Sequence, residues 1–218
     1  MAVGILFDLD GTLLDTLEDL LSATNYALAL HGYPRRDLEQ LRRAVGSGAW
    51  NQIRRSVPED ASEDAVQRVL ADYKPYYTAH CRTRTRPYAG IWEALEELKD
   101  RYPLAIVSNK PDPAVKALCG AYFPGIYAQG EAADCPRKPA PDMVLKAMAA
   151  IGADRCVYVG DSEVDILTAK NAGVPCVSVL WGFRCREELE AAGGSIFCAA
   201  PADLPKVLKT VVGGTYGQ

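Results

Sequence analysis

The sequence predicts an α/β fold, a Rossmann-like parallel sheet with helices on both faces and a small all-helical domain inserted after the first strand. Three observations support this prediction. Short apolar runs alternate with segments of helical periodicity after residue 87. Helical patterns without an intervening β-run fill residues 16–80. Three apolar runs end in polar clusters, as strands do at the ligand-binding edge of an open α/β sheet.

The elements follow in order from the changes in periodicity. The apolar run Val3–Phe7 predicts a buried first strand, and from Leu13 the period is helical until His31-Gly32-Tyr33-Pro34 ends it. Three more helical patterns follow, with Pro58 between the second and the third and Pro75 within the third; they are Leu38/Leu41/Val45, Trp50/Ile53/Val57 and Ala65/Val69/Tyr73/Tyr76. The later predicted helices cover residues 91–101, 113–119, 141–151, 163–172, 186–192 and 202–211, and the predicted strands cover 104–108, 126–128, 156–160, 175–180 and 195–198. We expect the tail from Gly213 to fray.

The length of 218 residues predicts one large domain with a sizeable insertion. We place a catalytic core domain at residues 1–15 and 82–218 and a helical cap domain at residues 16–81. The arginine- and threonine-rich segment 81–87 is the predicted return linker.

The composition excludes several classes of function. The formal net charge is −4, so we expect no nucleic-acid partner and no anionic membrane surface, since both require a basic face. No apolar run is long enough to span a bilayer, and the N-terminus does not resemble a signal peptide. The 7 cysteines are scattered and form no Cys-x-x-Cys motif, which predicts reduced thiols and a cytoplasmic protein.

Polar clusters at the predicted strand ends carry the candidate chemistry. They are Asp8-Leu9-Asp10-Gly11-Thr12, Ser108-Asn109-Lys110, Gly160-Asp161-Ser162 with Asp165 one turn later, and the loop Arg137-Lys138-Pro139. Each cluster alone is explained as well by a turn or a helix cap. Together, at one edge of a parallel sheet, their carboxylates, cations and hydroxyls suit a divalent cation and an anionic ligand.

These clusters also resemble the four motifs of the haloacid dehalogenase superfamily. The matching segments are Asp8 to Asp15, Ser108 to Lys110, Lys138 to Asp142 and Gly160 to Asp165, and residues 168–175 and 181–184 resemble the phosphoglycolate phosphatase-like branch. The resemblance covers essentially the whole chain. It implies the fold of that superfamily, with residues 16–81 as the small cap.

The resemblance implies a role for each motif residue. Asp8 would be the nucleophile and Asp10 the general acid and base. Mg²⁺ would be held by the Asp8 carboxylate, the Asp10 backbone carbonyl and Asp161. Asp165 would not bind the metal but would orient a metal-bound water or Lys138. The residues expected to bind the phosphoryl oxygens are Thr12, Ser108, Asn109 and Lys138.

The resulting hypothesis is a Mg²⁺-dependent phosphatase that hydrolyses a small phosphorylated metabolite, such as phosphoglycolate, through an aspartyl-phosphate. A sugar phosphomutase or a nucleotide monophosphatase on the same core is the alternative, and a non-enzymatic regulatory protein is disfavoured because no motif carboxylate is missing. We expect a monomer or a homodimer. The candidate specificity residues in the cap are Arg42, Arg43, Gly46, Ser47 and Gly48.

Overall fold

A parallel sheet forms the centre of the molecule. The computed structural model describes residues 2–216. In this range the strands are β1 (Val3–Phe7), β2 (Leu14–Asp15), β3 (Arg86–Pro87), β4 (Leu104–Pro111), β5 (Tyr127–Glu131), β6 (Arg155–Gly160), β7 (Cys176–Val179) and β8 (Phe197–Cys198). The helices are α1 (Leu17–Leu30), α2 (Leu38–Ala44), α3 (Ala49–Ser56), α4 (Glu63–His80), α5 (Ile91–Lys99), α6 (Asp112–Tyr122), α7 (Asp142–Ala150), α8 (Glu163–Ala172), α9 (Arg186–Ala191) and α10 (Leu204–Tyr216).

The order of the strands confirms the predicted fold class. Six strands pair in the order β5-β4-β1-β6-β7-β8, all in parallel. Counted within the sheet alone, this is the order 3-2-1-4-5-6 of a doubly wound α/β fold. The chain reverses direction across the sheet at β1, so the ends of β1, β4 and β6 lie side by side at the crevice where such folds bind ligands.

Alternation of side chains along the strands gives the sheet two buried faces. Leu6 on β1 and Tyr158 on β6 point into a core that includes residues of α7 and α8. Phe7 and Val159, one position further along the same strands, point into the opposite core with residues of α5, α6 and α10. Helices therefore cover both faces, and the central strands are apolar almost throughout because neither face meets water.

Helices α1 to α4 follow one another between β2 and β3, in the region where the sequence predicts only helices. The short antiparallel pair of β2 and β3, with Leu14 opposite Pro87 and Asp15 opposite Arg86, was not predicted. Two residues per strand are too few to produce an alternating pattern. The Asp19 carboxylate accepts hydrogen bonds from the backbone N–H groups of Arg84 and Thr85, which fixes the returning chain beside α1.

Helix α4 runs from Glu63 to His80 and contains Pro75, as the pattern Ala65/Val69/Tyr73/Tyr76 predicts. Pro75 and Ala71, whose carbonyl loses its helical partner at this position, are both exposed, so water can bind the freed carbonyl. The last helix is longer than predicted, because α10 continues past residue 211 to Tyr216. Residues 217 and 218 of the predicted tail lie outside the described range.

In residues 2–216, no helix combines the length and the apolar character that crossing a membrane requires.

Candidate active site

Asp8 and Asp10 lie in the turn that follows β1. The backbone N–H of Asp8 still bonds the Val159 carbonyl of β6 at 2.9 Å, so the sheet holds this residue in place. The turn then closes as Gly11 N–H bonds the Leu14 carbonyl at 2.9 Å. Gly11 has φ +85°, and a Cβ at this position would lie 2.2 Å from Asp161 Oδ2. Glycine is therefore required both by the backbone conformation and by the close approach of Asp161.

Asp161 follows β6 directly and is 1% exposed. Its Oδ1 accepts a hydrogen bond from Thr12 Oγ1 at 3.2 Å and its Oδ2 accepts one from the Phe183 backbone N–H at 2.7 Å. Carboxylate oxygens of Asp8, Asp161 and Asp165 lie within 4.8 Å of one another, and all three residues are buried. Three clustered carboxylates are the oxygen donors that a hard divalent cation prefers.

The electrostatics of this cluster fit a bound cation. Burial raises the pKa of Asp8 to about 7, Lys138 opposes this shift, and Asp165 and Asp10 add to it. Burial, together with the charges of Asp165 and Asp8, also raises the pKa of Asp161 well above its usual range. A divalent cation between Asp8 and Asp161 would offset this burial and repulsion, so the residues present fit the Mg²⁺ site that the sequence predicts.

Lys138 and Asp165 form a fixed support beneath Asp8. The Lys138 ammonium lies 2.7 Å from Asp8 Oδ1, 2.8 Å from Asp165 Oδ1 and 3.0 Å from the Tyr158 hydroxyl. Burial alone would lower the pKa of Lys138, but Asp165 and Asp8 raise it well above its ordinary value. Lys138 therefore stays charged beside the carboxylate that is the predicted nucleophile.

Asp165 also organises the start of α8. Its Oδ2 accepts hydrogen bonds from the backbone N–H of Asp161 at 3.2 Å, from the backbone N–H of Ser162 at 3.1 Å and from Ser162 Oγ at 2.6 Å. With Lys138 and Tyr158 on Oδ1, this carboxylate meets five donor groups. A carboxylate so occupied is suited to orient Lys138 and Asp161 rather than to bind a metal itself.

Ser108 and Asn109 stand at the end of β4, which is longer than predicted and continues to Pro111. The Asn109 amide donates to the Lys138 carbonyl at 2.9 Å, and its oxygen accepts from the Lys138 N–H at 2.8 Å. The same amide nitrogen lies 3.3 Å from the Gly46 carbonyl. In this structure Asn109 therefore ties the Lys138 loop and the α2–α3 loop together, and its predicted contact with phosphate stays a prediction. Ser108 Oγ accepts the Lys110 backbone N–H at 3.3 Å.

The helices α1 to α4 cover this site and leave a small cavity above Asp8. Among the cap residues singled out in the sequence, Gly46 and Gly48 line this cavity. Arg42 and Arg43 line a separate surface cleft, and the Arg43 side chain is 77% exposed and pairs with Glu39. The Ser47 carbonyl accepts a hydrogen bond from the Asn51 amide at 2.8 Å and so helps to shape the loop.

Two further residues of the site, Lys110 and Arg184, lie in the motifs but are not among the predicted site residues. Lys110 lies 3.0 Å from Asp10 Oδ2 and lines the cavity. Arg184 pairs with Glu163 at 2.9 Å and donates to the backbone carbonyls of Arg42 and Val45 at 2.9 and 3.0 Å. It thereby joins the sheet domain to the loop after α2. Their positions in the motifs were the one sequence signal that they belong to the site. Their contacts could not be predicted, because their partners are distant in the sequence.

Comparison with known proteins decides the family. The sequence profile of the haloacid dehalogenase-like hydrolases matches residues 5–179. The chain belongs to this family. It is similar to the phosphoglycolate phosphatase of Mesorhizobium japonicum, with 38% identity over 85% of this chain and 86% of that protein. It is also similar to the phosphoglycolate phosphatase of Rhodobacter capsulatus, with 34% identity over 84% of this chain and 87% of that one.

Solved structures support the same assignment. A protein from Lactobacillus delbrueckii subsp. bulgaricus superposes with a TM-score of 0.89 at 36% identity, over 94% of this chain and 97% of that one. A predicted phosphoglycolate phosphatase from Haemophilus somnus superposes with a TM-score of 0.85 at 27% identity, over the same shares of the two chains. The protein is therefore a haloacid dehalogenase-like phosphatase, a phosphoric monoester hydrolase of the phosphoglycolate phosphatase-like type.

Proposed function

We propose that this enzyme hydrolyses a small phosphate monoester, phosphoglycolate or a metabolite of similar size, through an aspartyl-phosphate on Asp8 and with the help of Mg²⁺. One observation carries the proposal. The buried Asp8 carboxylate lines a small cavity, with Lys138 fixed 2.7 Å from one of its oxygens. A carboxylate presented beside a permanent cation can approach an anionic phosphoryl group that would otherwise repel it.

The chain's own residues support a two-step reaction. An oxygen of Asp8 forms a bond to phosphorus while the bond to the leaving oxygen breaks, and Asp10 gives its proton to that oxygen. Water then attacks the phosphorus of the aspartyl-phosphate as the bond from phosphorus to the Asp8 oxygen breaks. Asp10 takes a proton from the water, and inorganic phosphate leaves with the Asp8 carboxylate restored. Lys138 stays in place throughout, because its ammonium group also bonds Asp165 at 2.8 Å and the Tyr158 hydroxyl at 3.0 Å.

Mg²⁺ would be held by the carboxylates of Asp8 and Asp161 and by the backbone carbonyl of Asp10. Bound there, it would neutralise negative charge on the phosphoryl oxygens. The glycines at positions 11 and 182 support this assignment, since a Cβ at either one would lie within 2.5 Å of an Asp161 oxygen. The sequence thus keeps space around a carboxylate that is otherwise difficult to bury.

The cavity supports a small substrate. Its volume is about 40 Å³, and at about 10–15 Å³ for each water-sized group it takes only a few such groups. Helices α1, α3 and α4 contribute Leu20, Ala49, Gln52 and Tyr73 to its wall. A phosphoryl group with a short polar substituent fits a cavity of this size better than a nucleotide does.

The test is phosphate release from a panel of esters in the presence of Mg²⁺, with the purified chain of 218 residues. The panel contains phosphoglycolate, hexose phosphates and nucleoside monophosphates, and Asp8→Asn is the control for contaminating phosphatases. We expect the highest kcat/KM for the two- to three-carbon esters. Transfer of phosphate between positions of a sugar, without release, would instead indicate a phosphomutase, and a preference for nucleoside monophosphates would contradict the proposed size limit.

We also propose that the enzyme works in the cytoplasm, as a monomer or a homodimer. All seven cysteines carry free thiols, and Cys81 and Cys119 are among those that are buried. Free thiols are usual for proteins of a reducing compartment. Fractionation of cells and light scattering of the purified protein test the two statements separately.

A further inference from the structure

A buried lysine, Lys110, connects Asp10 with the helices α1 to α4, which are called the cover of the site below. We propose that Lys110 and Tyr77 form a positioning pair that holds the Asp10 carboxylate in place for proton transfer to the leaving group. The inference rests on the proposed function, in which Asp10 supplies that proton. It assigns a catalytic support role to two residues outside the predicted site, Lys110 on β4 and Tyr77 on α4.

The first observation is the environment of Lys110. Its side chain is 2% exposed, its ammonium lies 3.0 Å from Asp10 Oδ2, and it donates a hydrogen bond to the Tyr77 hydroxyl at 2.5 Å. The ammonium also lies 4.2 Å from the centre of the Tyr77 ring, within the range of a cation–π contact. A buried ammonium is costly unless it is paired, so these two partners fix where it lies.

The second observation is the other oxygen of Asp10. Asp10 Oδ1 is buried and has no hydrogen-bond partner among residues 2–216. The ion pair with Lys110 is therefore the polar contact within this range that restrains the orientation of the carboxylate. Without it, the side chain could rotate away from the leaving oxygen, and misplacement by about 1 Å is enough to slow a reaction substantially.

The third observation places Tyr77 in the cover. Tyr77 lies on α4, is 1% exposed and stacks in parallel with Tyr73, with ring centres 5.6 Å apart. The Tyr73 hydroxyl accepts a hydrogen bond from Gln52 of α3 at 3.2 Å. The position of the Lys110 ammonium therefore depends on how α3 and α4 pack over the sheet. Through this contact the cover can hold Asp10 in its productive orientation.

The chemical consequence is specific to the leaving group. When an alkyl ester reacts, the new bond from Asp8 to phosphorus forms as the bond to the alkoxide oxygen breaks, and that oxygen takes the proton of Asp10. When acetyl phosphate reacts, the same bonds change but the leaving acetate is a stable anion that needs no proton. Loss of the positioning pair must then slow the alkyl ester far more than acetyl phosphate.

The experiment compares kcat/KM for acetyl phosphate and for the best alkyl ester of the panel, because this parameter contains the step in which the leaving group departs. The variants are Lys110→Met and Tyr77→Phe. Their matched controls are Lys99→Met, which removes an exposed lysine, and Tyr76→Phe, which removes a hydroxyl from the neighbouring half-buried ring of the same helix. Thermal unfolding verifies that each variant is folded.

We expect Lys110→Met to lower kcat/KM for the alkyl ester about 30-fold or more and for acetyl phosphate by less than about 3-fold, since general acids contribute about 10²–10⁴-fold. Tyr77→Phe should shift the same ratio in the same direction by about 5-fold, because the Asp10 ion pair remains but loses its anchor. The controls should leave the ratio unchanged.

Equal losses for both substrates in Lys110→Met and Tyr77→Phe would overturn the proposal, because they would indicate a purely structural or substrate-binding role. If Lys110→Met does not fold, Tyr77→Phe alone decides between these outcomes, since it removes one hydroxyl and keeps the ring. Failure of the proposed function would look different, because the parent enzyme itself would then release no phosphate from either substrate.

Discussion

Gly182 lies so close to Asp161 that adding one methyl group tests the geometry of the whole site. A Cβ at position 182 would lie 2.3 Å from Asp161 Cβ, 2.5 Å from Asp161 Oδ2 and 2.6 Å from the Gly11 carbonyl oxygen. Ordinary van der Waals contacts of a Cβ begin at 3.4 Å. The methyl group can therefore be accommodated only if Asp161 and residue 182 move about 1.1 Å further apart. The Phe183 N–H holds the same carboxylate at 2.7 Å, so Asp161 and the segment around Gly182 cannot both keep their places.

Gly182→Ala should therefore displace a predicted metal ligand without removing any charge. We expect kcat to fall about 100-fold, because an error of about 1 Å in a catalytic group has an effect of this size. The Mg²⁺ concentration for half-maximal activity should rise about 10-fold. The free energy of unfolding should fall by about 1–3 kcal/mol, the usual cost of an added methyl group in a packed region.

The assay is phosphate release at increasing Mg²⁺, together with urea unfolding of the same samples. Gly120→Ala is the matched control, because a Cβ there would meet nothing within 4 Å and the residue lies inside α6. It should keep full activity and gain about 0.5–1 kcal/mol of stability from its better helix propensity. Full activity of Gly182→Ala with an unchanged Mg²⁺ requirement would refute the placement of Asp161 beside the reacting group.

Three other predictions follow from the site. Asp8→Asn should keep the circular dichroism of the parent but lose at least about 10³-fold in kcat, and activity within tenfold of the parent would exclude a covalent role for Asp8. Excess chelator should stop phosphate release and Mg²⁺ should restore it; full activity in chelator would contradict the proposed role of the metal. Asp161→Ala should need at least about 10-fold more Mg²⁺ for activity. It should lose little stability, because it relieves carboxylate repulsion. Gly48→Ala should alter the kcat/KM ratios among esters, because Gly48 has φ +87° and lines the cavity, whereas Arg43→Ala should not. Ratios equal to those of the parent enzyme in both variants would show that this loop does not determine specificity.

Local signals were sufficient for much of the fold. Helix α8 has the predicted bounds, Glu163–Ala172, because both of its ends are encoded nearby. Asp165 accepts the Ser162 N–H at 3.1 Å at the start, and Gly173 adopts φ +70° at the end. The apolar run of β1 and the parallel sheet follow from the same kind of short-range pattern. The grouping of Asp8, Lys138 and Asp161 at one edge then follows from the strand order of a doubly wound sheet.

Only the tertiary structure decided which side chain touches which. The sequence could not show that Lys110 would reach Tyr77 on α4, or that Arg184 would bind the carbonyls of Arg42 and Val45. Nor could it show that Arg43 would face solvent while Gly48 faces the cavity. Each of these outcomes depends on how the four helices of residues 17–80 pack over the sheet. Periodicity and caps report interactions within a few residues, whereas such contacts arise from packing between segments that are distant in the chain.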